Sequence, residues 1–358
     1  MKAWVLAAPG GELKIEERPA PEPRPGSVLV RLAAVPLLTY QGEYLAGKLP
    51  YWYPPAPFIP GSNGVGLVEA VGAGVYHLRA GQRVIIGPHL VAGENVEEPA
   101  QMLIGLTGIS PDSGPLLADW PNGTLAELAL WPASAVSILE GLEDRPLNLL
   151  AVLGKFAVPL GGLLRGGLAA GMRLVVNGAT GHFGSAAVLL GLALGAERIV
   201  AVGRKADVLS RLENLGKGRI KAFILSGDSA ADEAGLRELC PAGAHLALDL
   251  VGRTDSSRST LTVLKALSRG GRLVLMGGMS ADLPLDYGKM LINDWEVIGN
   301  FMYRPEAIRR LIALVRSRQL DLGAVSTRYY AFRDLPAALE AAAAMRGLEA
   351  TIVTLPDA

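Results

Sequence analysis

Residues Val175–Val188 read VVNGATGHFGSAAV. A run of strand formers ends at Asn177, glycines follow at 178, 181 and 184, and small residues then open a helix. The N–H groups of a helix's first turn have no partner inside the helix and sit at the positive end of its dipole. Where no side chain covers that end, a pyrophosphate can lie against it. Gly181 allows the approach and Gly184 allows the helix to pack closely on the strand. Gly178, Ala179, Thr180, His182 and Phe183 complete the turn. The glycines have a plainer use in packing a buried helix tightly. Their position between a strand and a helix favours a dinucleotide.

The surrounding sequence supplies the sheet such a turn needs. Over residues 151–301 strand and helix alternate strictly: RLVVNG, RIVAVG, KAFIL, HLALDLVG, GRLVLMGG and WEVIGNFMY, with helical segments between them. This predicts an α/β domain built on a doubly wound, six-stranded parallel sheet. At the end of the second strand, about 20 residues past the glycines, a carboxylate would accept from a ribose 2′-OH. Here Gly203, Arg204 and Lys205 stand there, and Asp207 falls inside the next helix. Arg204 can pair with a 2′-phosphate through two hydrogen bonds, so the expected cofactor is NADP(H). The competing reading of Arg204 and Lys205 is a solvated helix start. Val251, Gly277 and Asn300, near the ends of later strands, complete the cofactor-binding set.

Residues 1–150 have another texture, short β-rich segments such as SVLVRLAAV cut by Pro and Gly in PAPEPRPG and LPYWYPPAPFIPG. They read as an antiparallel or barrel-like domain. The tail, 302–358, carries an amphipathic helix, an alanine-rich helix and a last strand ATIVTL, and is expected to return to this first domain.

With 34 basic and 34 acidic side chains among 358 residues and no block of like charge, nothing points to nucleic acid or a membrane surface as partner. Cys240 is the single cysteine, which excludes an internal disulfide and a multi-cysteine zinc cluster. The apolar run FGSAAVLLGLALGA is shorter than the roughly 20 residues that span a bilayer, and MKAWVLAAPGG is too short for a secretory core. A cytoplasmic protein is expected.

Taken together, a β-rich first half, a dinucleotide turn in the second half and the segment NGATGHFGSA resemble the medium-chain dehydrogenase/reductase superfamily. The likeness runs over essentially the whole chain. The turn is most similar to the zinc-independent, quinone oxidoreductase-like branch, which reads G-A-S-G-G-V-G. His182 and Phe183 depart from that pattern. The resemblance implies a GroES-like catalytic domain beside a Rossmann domain, with the nicotinamide held between them.

Zinc-dependent relatives carry G-H-E where FIPGSNGVG here has Ser62 and Asn63. Leu37 stands in place of a cysteine ligand and Gly154, in LGKFAV, in place of the third ligand. No metal ligand is expected, since a catalytic zinc takes about three such side chains. The four histidines, 77, 89, 182 and 245, lack ligand spacing. Thr39 matches the hydroxyl residue that relays the proton in zinc alcohol dehydrogenases, and Tyr40 follows it. With Tyr44 they form the catalytic candidates, against an alternative in which the tyrosines are packed aromatics. Trp52 and Tyr53 are candidates for walling an apolar substrate pocket.

The expected activity is NADPH-dependent hydride transfer to a quinone or α,β-unsaturated carbonyl. Two alternatives stay open: a metal-free, alcohol dehydrogenase-like reductase of simple carbonyls, and a non-catalytic NADPH-binding sensor or structural protein. The apolar strand in WEVIGNFMY, at a sheet edge, is expected to be covered or paired, and the resemblance implies that it pairs with its two-fold mate in a homodimer.

Overall fold

The computed structural model describes residues 1–356 and divides into two compact units. The second unit comprises Lys155–Ala324 with Arg346–Leu348. Its strands are β1 (Arg173–Asn177), β2 (Arg198–Gly203), β3 (Ile220–Ile224), β4 (Ala244–Asp249), β5 (Leu267–Leu275) and β6 (Glu296–Gly299). They pair in the order β3-β2-β1-β4-β5-β6, parallel throughout. Helices cover both faces of such a sheet, so its inner strands must be apolar on both sides. In β1 and β2 every residue after the first is buried. Strand order reverses between β1 and β4, and their last residues, Asn177 and Asp249, lie side by side in register. Ligands of open α/β sheets bind at the carboxyl ends of strands beside such a reversal.

The first unit comprises Met1–Gly154, Val325–Met345 and the chain from Glu349 onward. Strand Ser27–Pro36 is its hub, antiparallel to Gly64–Val71, Leu128–Pro132 and Glu349–Thr354. Two register shifts against Gly64–Val71 bend it, as β-bulges do. Val28, Val30, Leu32, Ile86, Met102 and Trp131 belong to the core cluster of this unit. Trp131 satisfies its indole N–H on the Gly87 carbonyl at 2.8 Å and Trp4 on that of Phe332 at 2.9 Å.

The alanine-rich helix Leu335–Ala343 and the last strand fall in the first unit. Residues 302–324 do not. Met302 and Tyr303 lie against the helix Leu153–Arg165, where a Cβ on Gly161 would stand 2.7 Å from Tyr303 Cβ. Helix Pro305–Arg316 follows directly and clusters with the second unit. Its amphipathic pattern showed that it buries a face but not against which unit.

The segment Leu147–Arg165 is long and apolar enough to cross a membrane by length and composition, but 67% of it is buried inside the protein. It is read as a core helix.

Candidate active site

The turn after β1 has the geometry its glycines require. Gly178 takes φ +79°, the left-handed region that a side chain disfavours. Ala179 donates to the Val202 carbonyl at 2.9 Å, which pins the turn to β2, and Gly181 donates to Gly178 at 2.9 Å. Helix His182–Ala193 then begins with Gly181 as its N-cap and no capping side chain. A Cβ on Gly184 would overlap the Gly178 carbonyl oxygen, so helix and turn are in backbone contact there. A Cβ on Gly181 would meet only that oxygen, at 3.2 Å. The N–H groups of His182, Phe183 and Gly184 have no partner within the helix, and the cap residue Gly181 before them is exposed. These residues fit a dinucleotide's diphosphate.

Arg204 and Lys205 are exposed at the end of β2, and neither side chain makes an ion pair or hydrogen bond with any described residue, while the Lys205 carbonyl accepts from the Leu209 N–H at 3.1 Å. Val251, Gly277 and Asn300 follow β4, β5 and β6 along the same carboxyl edge as Gly178. Gly277 lies in close contact with the Val251 carbonyl, and Asn300 donates its backbone N–H to Leu275 at 3.0 Å. The structure therefore places the whole candidate cofactor set on the carboxyl edge or just past it.

Two buried polar arrangements beside the turn were not foreseen. Asn177 donates to Asp249 Oδ2 at 3.1 Å and to Ser259 Oγ at 3.3 Å, while its own Oδ1 has no partner among the described residues. Burial pushes the Asp249 carboxyl up from its ordinary value, against hydrogen bonds from Thr260, Val251 and Asn177. Asp249 also closes the turn after its own strand, where Oδ1 accepts from the Val251 N–H at 2.9 Å. In the second arrangement, Lys155 Nζ donates to the carbonyls of His182 (2.6 Å) and Gly347 (2.8 Å) and stands 3.1 Å from His182 Nδ1. A lone lysine inside the apolar run LGKFAV was the signal that could have pointed to it.

In the first unit, Thr39 and Tyr40 are half-buried before the short helix Gln41–Leu45. Tyr40 lies edge-on to Tyr51 at 6.5 Å. Tyr44 is not placed for catalysis. It is fully buried, stacked on Tyr53 at 4.8 Å and edge-on to Phe58, and its hydroxyl is shielded from solvent without a partner among the described residues. Burial drives its phenol well above the usual value. Tyr53 donates to the Tyr44 carbonyl at 2.8 Å, and Trp52 is exposed. Neither shows a substrate pocket.

Two of the positions matched to zinc ligands, Asn63 and Gly154, lie together. A Cβ on Gly154 would lie 3.6 Å from Asn63 Cβ and 3.4 Å from Pro36, the neighbour of Leu37. Asn63 donates to Ser62 Oγ at 3.1 Å, and Leu37 is a buried core residue. An aliphatic side chain, a hydroxyl, an amide and a glycine do not make a zinc site. No group of three His, Cys, Asp or Glu among the described residues could hold a metal ion.

Two family models match the chain. An alcohol dehydrogenase GroES-like domain matches residues 24–140, and a zinc-binding dehydrogenase model matches 183–317. An alcohol dehydrogenase of Moraxella sp. (strain TAE123) is 28% identical over 311 residues, 84% of this chain and 85% of that one. A sorbitol dehydrogenase of Macaca fascicularis is 27% identical over 301 residues, 82% of this chain and 79% of that one. Among solved structures, a putative zinc-binding dehydrogenase from Sinorhizobium meliloti 1021 bound to NADP superposes with a TM-score of 0.80 at 20% identity, covering 99% of this chain and 98% of that one.

Proposed function

Because the chain belongs to the medium-chain dehydrogenase/reductase superfamily and is an oxidoreductase of that family, we propose that it reduces a quinone or α,β-unsaturated carbonyl with NADPH and without a zinc ion. The observation that carries this reading is that Asn63 and Gly154 lie together, with Ser62 and Leu37 at the other positions matched to metal ligands, and that none of the four offers a thiolate, imidazole or carboxylate. Oxidising an alcohol near neutral pH calls for a group that stabilises the alkoxide, and zinc does so by lowering the pKa of bound oxygen. Leu37, Ser62, Asn63 and Gly154 bring no thiolate, imidazole or carboxylate to hold that ion. Thr39 and Tyr40 offer neutral hydroxyls, which donate hydrogen bonds well and are poor bases at pH 7. Donors of this kind stabilise the oxyanion that develops when an enone or quinone is reduced.

The N–H groups of His182, Phe183 and Gly184 hold the diphosphate, and Arg204, supported by Lys205, holds the 2′-phosphate. Bound there, the dinucleotide supplies the hydride. The compartment proposed is the cytoplasm. The assembly proposed is a homodimer through β6, a sheet edge flanked by the exposed Tyr287, Leu291 and Ile292.

A second reading, reduction of simple ketones and aldehydes, is favoured by the similarity to alcohol and sorbitol dehydrogenases. Chelator-treated protein assayed for loss of NADPH absorbance decides between them. Quinones and enones turning over faster than simple ketones supports the first reading, and turnover of simple ketones alone supports the second. Activity that appears only on adding zinc overturns the metal-free assignment. Firm NADPH binding with no turnover of any acceptor would favour a non-catalytic protein.

A further inference from the structure

Lys155 projects from the helix Leu153–Arg165 and is 3% exposed, with its ammonium beside the first residue of the helix that follows the glycine turn. An ammonium has only protons to give. At 3.1 Å, His182 Nδ1 must therefore be the acceptor, and the neutral ring carries its proton on Nε2. Nε2 makes no hydrogen bond with any described residue. The half-buried ring is braced edge-on against Phe183 at 5.0 Å. Around it, Ser185 brings a hydroxyl and Gly347 only backbone, and Lys155 is the charged side chain that acts on it. Burial and that ammonium hold the imidazole well below its usual range.

We infer that His182 Nε2–H is a hydrogen-bond donor to the diphosphate of the dinucleotide, and that Lys155 is the positioning residue that fixes its tautomer. This rests on the dinucleotide site proposed above. His182 is the first residue of the helix, so its ring belongs to the same turn as the backbone N–H groups that would receive the diphosphate. A free histidine at this place would gain and lose charge near neutral pH and make binding vary with it. Next to Lys155 it stays neutral and donates steadily. The same ammonium holds Gly347, whose N–H donates to the Thr180 carbonyl at 3.1 Å, so it braces the turn from a second side.

The test measures dissociation constants of NADPH and NADH by fluorescence for the wild type, His182→Ala, Lys155→Met and the double variant. His182→Ala weakens both cofactors alike, by about tenfold. NADH is the pH probe, because it lacks the 2′-phosphate, which titrates near pH 6. In Lys155→Met the ammonium no longer opposes protonation, so the His182 imidazole titrates higher than in the wild type while burial still holds it below its ordinary value, and NADH binds more tightly as pH falls and imidazolium meets diphosphate. The double variant loses this pH dependence. Asp249, on neighbouring β4, is present in every variant, so the comparison isolates His182. If Lys155→Met fails to fold, the ring nitrogen shifts of His182 in the wild type report the tautomer directly. The Nε2–H form supports the inference and the Nδ1–H form overturns it. Unchanged affinity in His182→Ala also overturns it, with the dinucleotide reading intact. A wild type that binds neither cofactor overturns both.

Discussion

Gly181→Ala should remove cofactor affinity and leave the fold alone, while Gly184→Ala should destabilise the fold itself. At Gly181 the backbone sits at φ −82°, ψ 173°, a region any residue adopts, and an added Cβ meets one atom at 3.2 Å. Alanine at a compatible glycine position stabilises by about 0.4–1 kcal/mol through the unfolded chain, enough to offset that single contact. The melting temperature therefore holds or rises slightly. The new methyl occupies the space through which a diphosphate reaches the first-turn N–H groups. Loss of a charge-assisted hydrogen bond there costs about 1.5–3 kcal/mol, a dissociation constant at least tenfold higher. At Gly184 the added Cβ would overlap the Gly178 carbonyl and lie 2.8 Å from Ala179 Cα, both backbone atoms with nowhere to go. Overpacking of this kind costs about 1–3 kcal/mol, a fall of several degrees in melting temperature at roughly 2–4 °C per kcal/mol for a domain of this size. Thermal melts without ligand and fluorescence titration with NADPH read the two effects separately. Wild-type affinity in Gly181→Ala would show that the diphosphate does not lie on this turn.

Tyr44→Phe removes a buried hydroxyl that has no partner among the described residues, so stability is unchanged or rises by up to about 1 kcal/mol, and turnover is unchanged; a large fall in kcat would return Tyr44 to the active site. Asp249 has a raised folded-state pKa, so the wild type loses stability as pH rises from the ordinary carboxyl value toward the raised one; Asp249→Asn should melt higher at pH 7, with the gain vanishing as pH falls to about 4. A variant that gains equally at both pH values refutes the burial argument. Leu291→Glu with Ile292→Glu places charge on the exposed helix beside β6 and should yield monomers by light scattering; a wild type already monomeric at micromolar concentration contradicts the homodimer.

The second unit was legible because two-sided burial writes itself into sequence. β1, β2 and β4 are largely apolar runs, and the glycines after β1 mark a turn where backbone must pass close to backbone. The last strand was legible in the same way. The Asn177–Asp249 contact follows from strand order, since β1 neighbours β4, but it needs the order before it can be seen. Lys155 meets His182 across 27 residues and Gly347 across 192, and no local pattern encodes such a meeting. Tyr44 misled because its burial depends on Tyr53 and Phe58, which a Pro-rich segment brings onto it. A helix of five residues, Gln41–Leu45, gives too little periodicity to show which side faces inward.

The central claim, an oxidoreductase that uses NADPH, is tested most directly by the dissociation constants of NADPH and NADH for the wild type and Arg204→Ala. Arg204 is exposed and makes no contact that the fold needs, so the variant isolates recognition of the 2′-phosphate. The account predicts that the wild type binds NADPH more tightly than NADH. In Arg204→Ala the NADPH affinity should fall by about 1.5–3 kcal/mol and the NADH affinity should stay where it was. Equal affinity for the two cofactors in the wild type, or an equal loss of both in the variant, would contradict it.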